Sequence, residues 1–81
     1  MDLVDLIRQQ LETGALPLTM PSQLRVGYAT GHACDACHNV IRPGQIEYEL
    51  TYPSPRIYRL HFGCFALWDA ERRERGLPQT G

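Results

Sequence analysis

Three features of this sequence predict a small α+β domain held together by a metal ion. Apolar residues recur at helical spacing near each end of the chain. Between those stretches lies a cleanly alternating strand and its return. All three cysteines fall into one pattern with a histidine: Cys34-x2-Cys37, then twenty-three residues, then His61-x2-Cys64. The chain has 81 residues, enough for one domain. A chain of that size buries only roughly 60% of its unfolded surface, so its core alone gives marginal stability. Small scaffolds of this kind need a staple.

The first helix is expected over residues 2–13. Leu3, Leu6, Ile7 and Leu11 recur at three- and four-residue spacing. Asp2 can cap the first turn, and Gly14 can close the last. Arg8 and Glu12 stand one turn apart as a supporting pair. The apolar stripe is expected to cover the core of the metal domain. The competing use is a partner contact or a homodimer through this helix. Residues 15–33 read as an irregular strap. Pro17 and Pro21 break helices, and Gly27 and Gly31 break strands. Leu16, Leu18, Met20, Leu24, Val26 and Tyr28 are nevertheless too apolar for a disordered linker, and a short strand is expected near Arg25–Tyr28.

Residues 34–76 form the expected metal core. A first metal turn occupies 34–38, and Pro43-Gly44 marks a tight turn. In Gln45–Tyr52, Ile46, Tyr48, Leu50 and Tyr52 share one face, and Gln45, Glu47, Glu49 and Thr51 share the other, solvated face. Pro53-Ser54-Pro55 forces a loop, and Arg56–Leu60 is the returning strand. The second helix is expected over Phe62–Arg75. Its inward residues are read as Phe62, Phe65, Ala66 and Trp68, with Asp69, Glu71, Arg72, Arg73, Glu74 and Arg75 outside. Gly76 and Pro78 end it, and residues 77–81 are expected to fray.

The cysteine–histidine pattern carries the chemistry. A neutral thiol is a poor ligand, and metal binding expels its proton. Two-residue spacing folds Cys34 and Cys37 back in one turn, where exposed amides can hydrogen-bond the sulfurs. His61 and Cys64, three apart at a helix start, share a face, and the helix N-terminus favours the Cys64 thiolate. Three thiolates and one imidazole fill the tetrahedral shell of one zinc ion per chain.

Rival readings use the same residues less completely. Cys34-Asp35-Ala36-Cys37-His38 is a literal C-x-x-C-H, the attachment motif of c-type haem, but haem leaves His61-x2-Cys64 without a task. A thioredoxin-like pair needs a βαβ setting, and nothing beyond the ligands favours an iron–sulfur cluster. His32 and His38 flank the turn, and either can reach the position given to His61, but neither has its helical spacing to Cys64. His38 is also a candidate to hydrogen-bond behind the ligands.

The formal net charge is -1, which supplies no large pull toward nucleic acid or an anionic membrane. All eight basic residues are arginine, the better residue for forked contacts to carboxylate and phosphate. No run approaches the ~20 apolar residues that span a bilayer. The N-terminus, Met1-Asp2-Leu3-Val4-Asp5, lacks the basic and apolar regions of a secretory signal, so a cytoplasmic protein is expected.

The order of metal turn, hairpin and His61-x2-Cys64 at a helix start resembles a treble-clef zinc finger, here with an added N-terminal helix. It is similar to a single LIM-type module and, with a shorter middle, to the poly(ADP-ribose) polymerase type of finger. Phe65, the aromatic after the last ligand, fits that likeness. The chain also resembles small uncharacterised bacterial proteins that share the glutamate–tyrosine strand and the His-x2-Cys-Phe helix. The likeness covers about residues 32–76. A LIM domain continues into a second zinc module, and the polymerase fingers carry more basic surface than the seven arginines and six acids of residues 25–81.

The expected role is a non-catalytic zinc module that acts as a protein–protein interaction adaptor or regulator. Tyr28, Tyr48, Tyr52, Tyr58 and Trp68 are many amphipathic rings for so short a chain, and such rings are enriched at interfaces. The alternative is a nucleic-acid-binding finger that uses Arg42, Arg56, Arg59, Arg72 and Arg73, with Tyr52 and Tyr58 stacking on bases. No nucleophile–base pair, glycine-rich phosphate cradle or acidic dyad stands out, so an enzyme is not expected.

Overall fold

In the computed structural model, which describes residues 2–75, two helices and three strands form an α+β architecture. Their order is α1 (Leu3–Thr13), β1 (Gln23–Tyr28), β2 (Ile46–Tyr52), β3 (Arg56–His61) and α2 (Phe62–Glu74). The expected helix stop at Gly76 and Pro78 and the frayed tail at 77–81 lie outside the described residues. Among the described residues, no helix is long and apolar enough to cross a membrane.

The stripe on α1 packs into the core of the same chain: Ile7 and Leu11 are buried. Gly14 closes the helix in the left-handed conformation, φ 84°, which costs glycine nothing. Two expectations at this helix are corrected. Asp2 stands at the N-cap without a side-chain capping bond; only its carbonyl joins the ladder, accepting from the Leu6 N–H at 2.9 Å. Arg8 does not pair with Glu12. It crosses to α2, where its Nε lies 2.7 Å from Glu71 Oε1. A shielded carboxylate offering two oxygens outcompetes an exposed one on the same helix.

The strap is irregular up to residue 22 and again over 29–32, on either side of a strand. Leu16 is buried, the Trp68 indole N–H donates to the Pro17 carbonyl at 2.8 Å, and the Tyr52 hydroxyl donates to the Thr19 carbonyl at 2.7 Å. From Gln23 the chain runs as the six-residue strand β1, longer than expected, with Gly27 in mid-strand. The sheet is antiparallel throughout, in the order β1-β2-β3. Val26 lies opposite Tyr48, and Tyr48 opposite Leu60. One face therefore carries Leu24, Val26, Tyr28, Ile46, Tyr48, Leu50, Tyr58 and Leu60. Helix α2 lies over β2 and β3 on that face, where Leu50, Leu60 and Trp68 are fully buried and Tyr48 stacks on Phe65 with ring centroids 4.2 Å apart.

The rotational phase of α2 differs from the expected one. Phe65 and Trp68 pack inward, but Phe62 is 61% exposed and Ala66 is exposed too, while Glu71 and Arg72 are buried. Cys64 sets this phase. Its sulfur must point toward the metal turn, and Trp68, Glu71 and Arg72 follow at i+4, i+7 and i+8 on the same side. The buried Arg72 is matched by Asp69 at 2.7 Å and lies over the Trp68 ring. Glu71 is clamped between Arg8 and Arg75.

Candidate metal centre

The first two ligands come from a turn that the backbone closes on itself. Ala33 bridges Val40, the Cys34 N–H donates to the Asn39 carbonyl at 2.8 Å, and the His38 N–H donates to the Cys34 carbonyl at 2.9 Å. The chain must reverse directly after Cys37, and His38 makes the reversal in the left-handed region, φ 68°. Histidine is one of the few side chains enriched there.

Three bonds fix this turn to the rest of the fold. The Gln10 side-chain amide of α1 donates to the Ala36 carbonyl at 2.8 Å. The Asp35 N–H donates to the Arg59 carbonyl at 2.8 Å, and the Arg59 N–H donates to Asp35 Oδ2 at 2.8 Å. Asp35 thus behaves as a short piece of strand on the outer edge of β3. Sequence reading gave Asp35 no role, and nothing in a C-x-x-C turn marks one of its inner residues as a strand partner.

The second pair arrives where strand becomes helix. His61 is the last residue of β3 and the N-cap of α2. Its side chain makes no capping bond; the ring turns to the sulfurs instead. Its Nδ1 is 3.4 Å from Cys37 Sγ and 3.9 Å from Cys64 Sγ. The four ligand atoms of Cys34, Cys37, His61 and Cys64 all lie within 4.8 Å of one another. Tetrahedral zinc, with Zn–S near 2.3 Å and Zn–N near 2.0 Å, needs S···N separations of about 3.5 Å and S···S of about 3.8 Å. The donor set and its spacing fit one zinc ion.

The electrostatics of the thiols point the same way. Hydrogen bonding from Cys64 draws the Cys34 thiol down to about 4 against the opposing effect of burial, and backbone N–H groups add to the lowering. One of these is the Ala36 N–H, 3.4 Å from the Cys34 sulfur. The same bond, together with burial, pushes the Cys64 thiol up. Cys34 therefore ionises readily, while Cys64 holds its proton beside that charge. A divalent cation bound here would replace that proton and neutralise most of the three-thiolate charge.

The other histidines lie apart from this group. His32 is exposed, with its Nδ1 3.3 Å from the Thr30 hydroxyl and 3.9 Å from Glu47. His38 is exposed beside the turn. The arginines named for nucleic-acid contact do not form one surface of free cations. Arg59 lies between Glu47 and Glu49 at 3.8 and 3.6 Å, which also means that those glutamates are paired rather than simply solvated. Arg73 pairs with Asp69 at 3.2 Å, and Arg72 is buried. Arg56 stacks over the Tyr58 ring at 4.6 Å, and Arg42 sits beside the tight turn, where its backbone N–H donates to Gln45. No known protein family, curated protein or solved structure matches the chain.

Proposed function

We propose that this chain is a treble-clef-like structural zinc module, with one ion per chain, that acts without catalysis as an adaptor or regulator by binding another protein. One observation carries the reading: four protein ligand atoms converge within 4.8 Å. Four protein ligands close the tetrahedral shell, whereas a catalytic zinc keeps one position for water or substrate. The adaptor role is supported by the near-neutral charge and by large apolar side chains at the surface, including Tyr28 and Phe62. A reducing compartment such as the cytoplasm suits three unpaired thiols gathered around a metal.

Native mass spectrometry tests the metal. The expected result is one zinc per chain that a chelator removes, with loss of the folded charge-state distribution. A folded, metal-free chain overturns the reading. Anisotropy of labelled DNA and RNA at low salt tests the adaptor role against the nucleic-acid alternative. No binding is expected, and a signal that falls steeply with added salt would replace the adaptor by a phosphate binder.

A further inference from the structure

The face of the sheet that α2 covers is wider than the helix. Helix α2 packs on β2 and β3 and, among the described residues, does not reach β1. Leu24, Val26 and Tyr28 point to that face and remain 40%, 56% and 76% exposed. The strand's backbone is open as well. The Ala29 N–H donates to the Gln45 carbonyl at 2.8 Å, and in this register the odd residues of β1 turn their polar groups toward β2. Leu24, Val26 and Tyr28 therefore turn theirs outward. The same three residues present apolar side chains and ladder groups that, among the described residues, pair with no other strand, and that combination invites another strand.

We propose that β1 pairs with β1 of a second copy of this chain, antiparallel about Val26, joining the two sheets into one. The strand is complementary to itself in that register. Val26 meets its own twin, and Leu24 meets Tyr28 of the second copy, which extends the apolar strip across the junction. On the opposite face Arg25 meets Gly27 of the second copy, whose missing side chain leaves a slot. Glu47 lies directly beyond Gly27 in the register. Its Oε1 makes no hydrogen bond among the described residues, with only the His32 ring 3.9 Å away and Arg59 on the other oxygen, and the residue lines an open pocket with Arg25, Gly27 and Glu49. Two strand spacings, about 10 Å, separate the Cα atoms of Arg25 and Glu47 across the junction. An arginine and a glutamate side chain close that gap from both ends. Arg25 has no carboxylate within ion-pair distance among the described residues, so the junction supplies it with one. This pairing rests on the sheet alone and stands whether or not the module recruits another protein.

Sedimentation equilibrium of the zinc-loaded full chain, monomer mass 9.2 kDa, tests the pairing. A reversible dimer in the micromolar range is expected, because one strand pair gives an interface at the small end of specific contacts. Val26→Pro removes an outward N–H and no bond to β2, so it should leave a zinc-loaded monomer. Gly27→Thr fills the slot that Arg25 crosses. The space at Gly27 is open in the single chain, so this variant should keep or raise the melting temperature while weakening the dimer about tenfold. A wild-type chain that sediments at monomer mass at every concentration overturns the proposal and leaves the edge to a strand of a different protein. A dimer undiminished in both variants overturns it as well and places the contact on another surface.

Discussion

The two edges of the sheet are finished in opposite ways. At β3 the outward N–H and carbonyl of Arg59 are both taken by Asp35, which the metal turn holds in place. At β1 the outward groups of Leu24, Val26 and Tyr28 meet no further strand among the described residues and lie beside their own exposed apolar side chains. The cysteine–histidine cluster thus does more than join a turn to a helix. By gathering Cys34 and Cys37 next to His61, it brings an aspartate alongside one edge and closes it. No ligand lies in β1, so nothing local closes the other.

The largest perturbation should abolish this contrast altogether. Cys37→Ala, or chelation of the wild-type chain, is expected to unfold the protein, because structural zinc in small domains contributes about 10–16 kcal/mol near neutral pH. Far-ultraviolet circular dichroism with and without chelator checks it. Trp68→Ala comes next. It empties the layer between α2 and the strap and orphans the Pro17 carbonyl, at a cost of about 3–5 kcal/mol in denaturant melts of the zinc-loaded chain.

Asp35→Ala should make the closed edge resemble the open one. Losing its bond to the Arg59 N–H is expected to cost about 1 kcal/mol. Hydrogen exchange at the Arg59 amide should quicken while amides paired between β1 and β2 keep their protection. Asp35→Asn keeps an acceptor oxygen and should retain most of that protection. An Arg59 amide as well protected in Asp35→Ala as in the wild type would refute the assignment.

The smallest effect is expected from Glu71. Its hydrogen bond from Arg8 holds the carboxyl below the usual glutamate range, against burial, with Arg75 adding to the lowering. A carboxyl depressed in the folded state contributes stability above its unfolded pKa and loses it as pH falls through the folded value. Glu71→Gln should therefore flatten the acid limb of a melting-temperature profile and leave both sheet edges as they were.

How much of this was legible in the sequence depended on distance along the chain. The clustering of Cys34, Cys37, His61 and Cys64 could be read because each half of it is a fixed spacing within one turn, and α1 and β2 because a face repeats every three to four or every two residues. The α2 phase was misread because Phe62 and Phe65 look like the centre of an apolar stripe, whereas the helix is rotated by where Cys64 must point. Glu71 and Arg72 looked like surface charges because what buries them is remote: Arg8 lies 63 residues away. Gly27 looked like a break in a strand, but the pairing of β1 with β2, set at a distance in sequence, overrides that local preference.

His61 belongs at once to a strand, a helix boundary and the ligand set. An insertion of one residue just after it would turn the helix by about 100° and swing Cys64 out of reach. An insertion at the hairpin tip, among residues 53–55, would displace no ligand. Natural variation in the length of such chains should therefore gather at the tip and spare the seam between strand and helix.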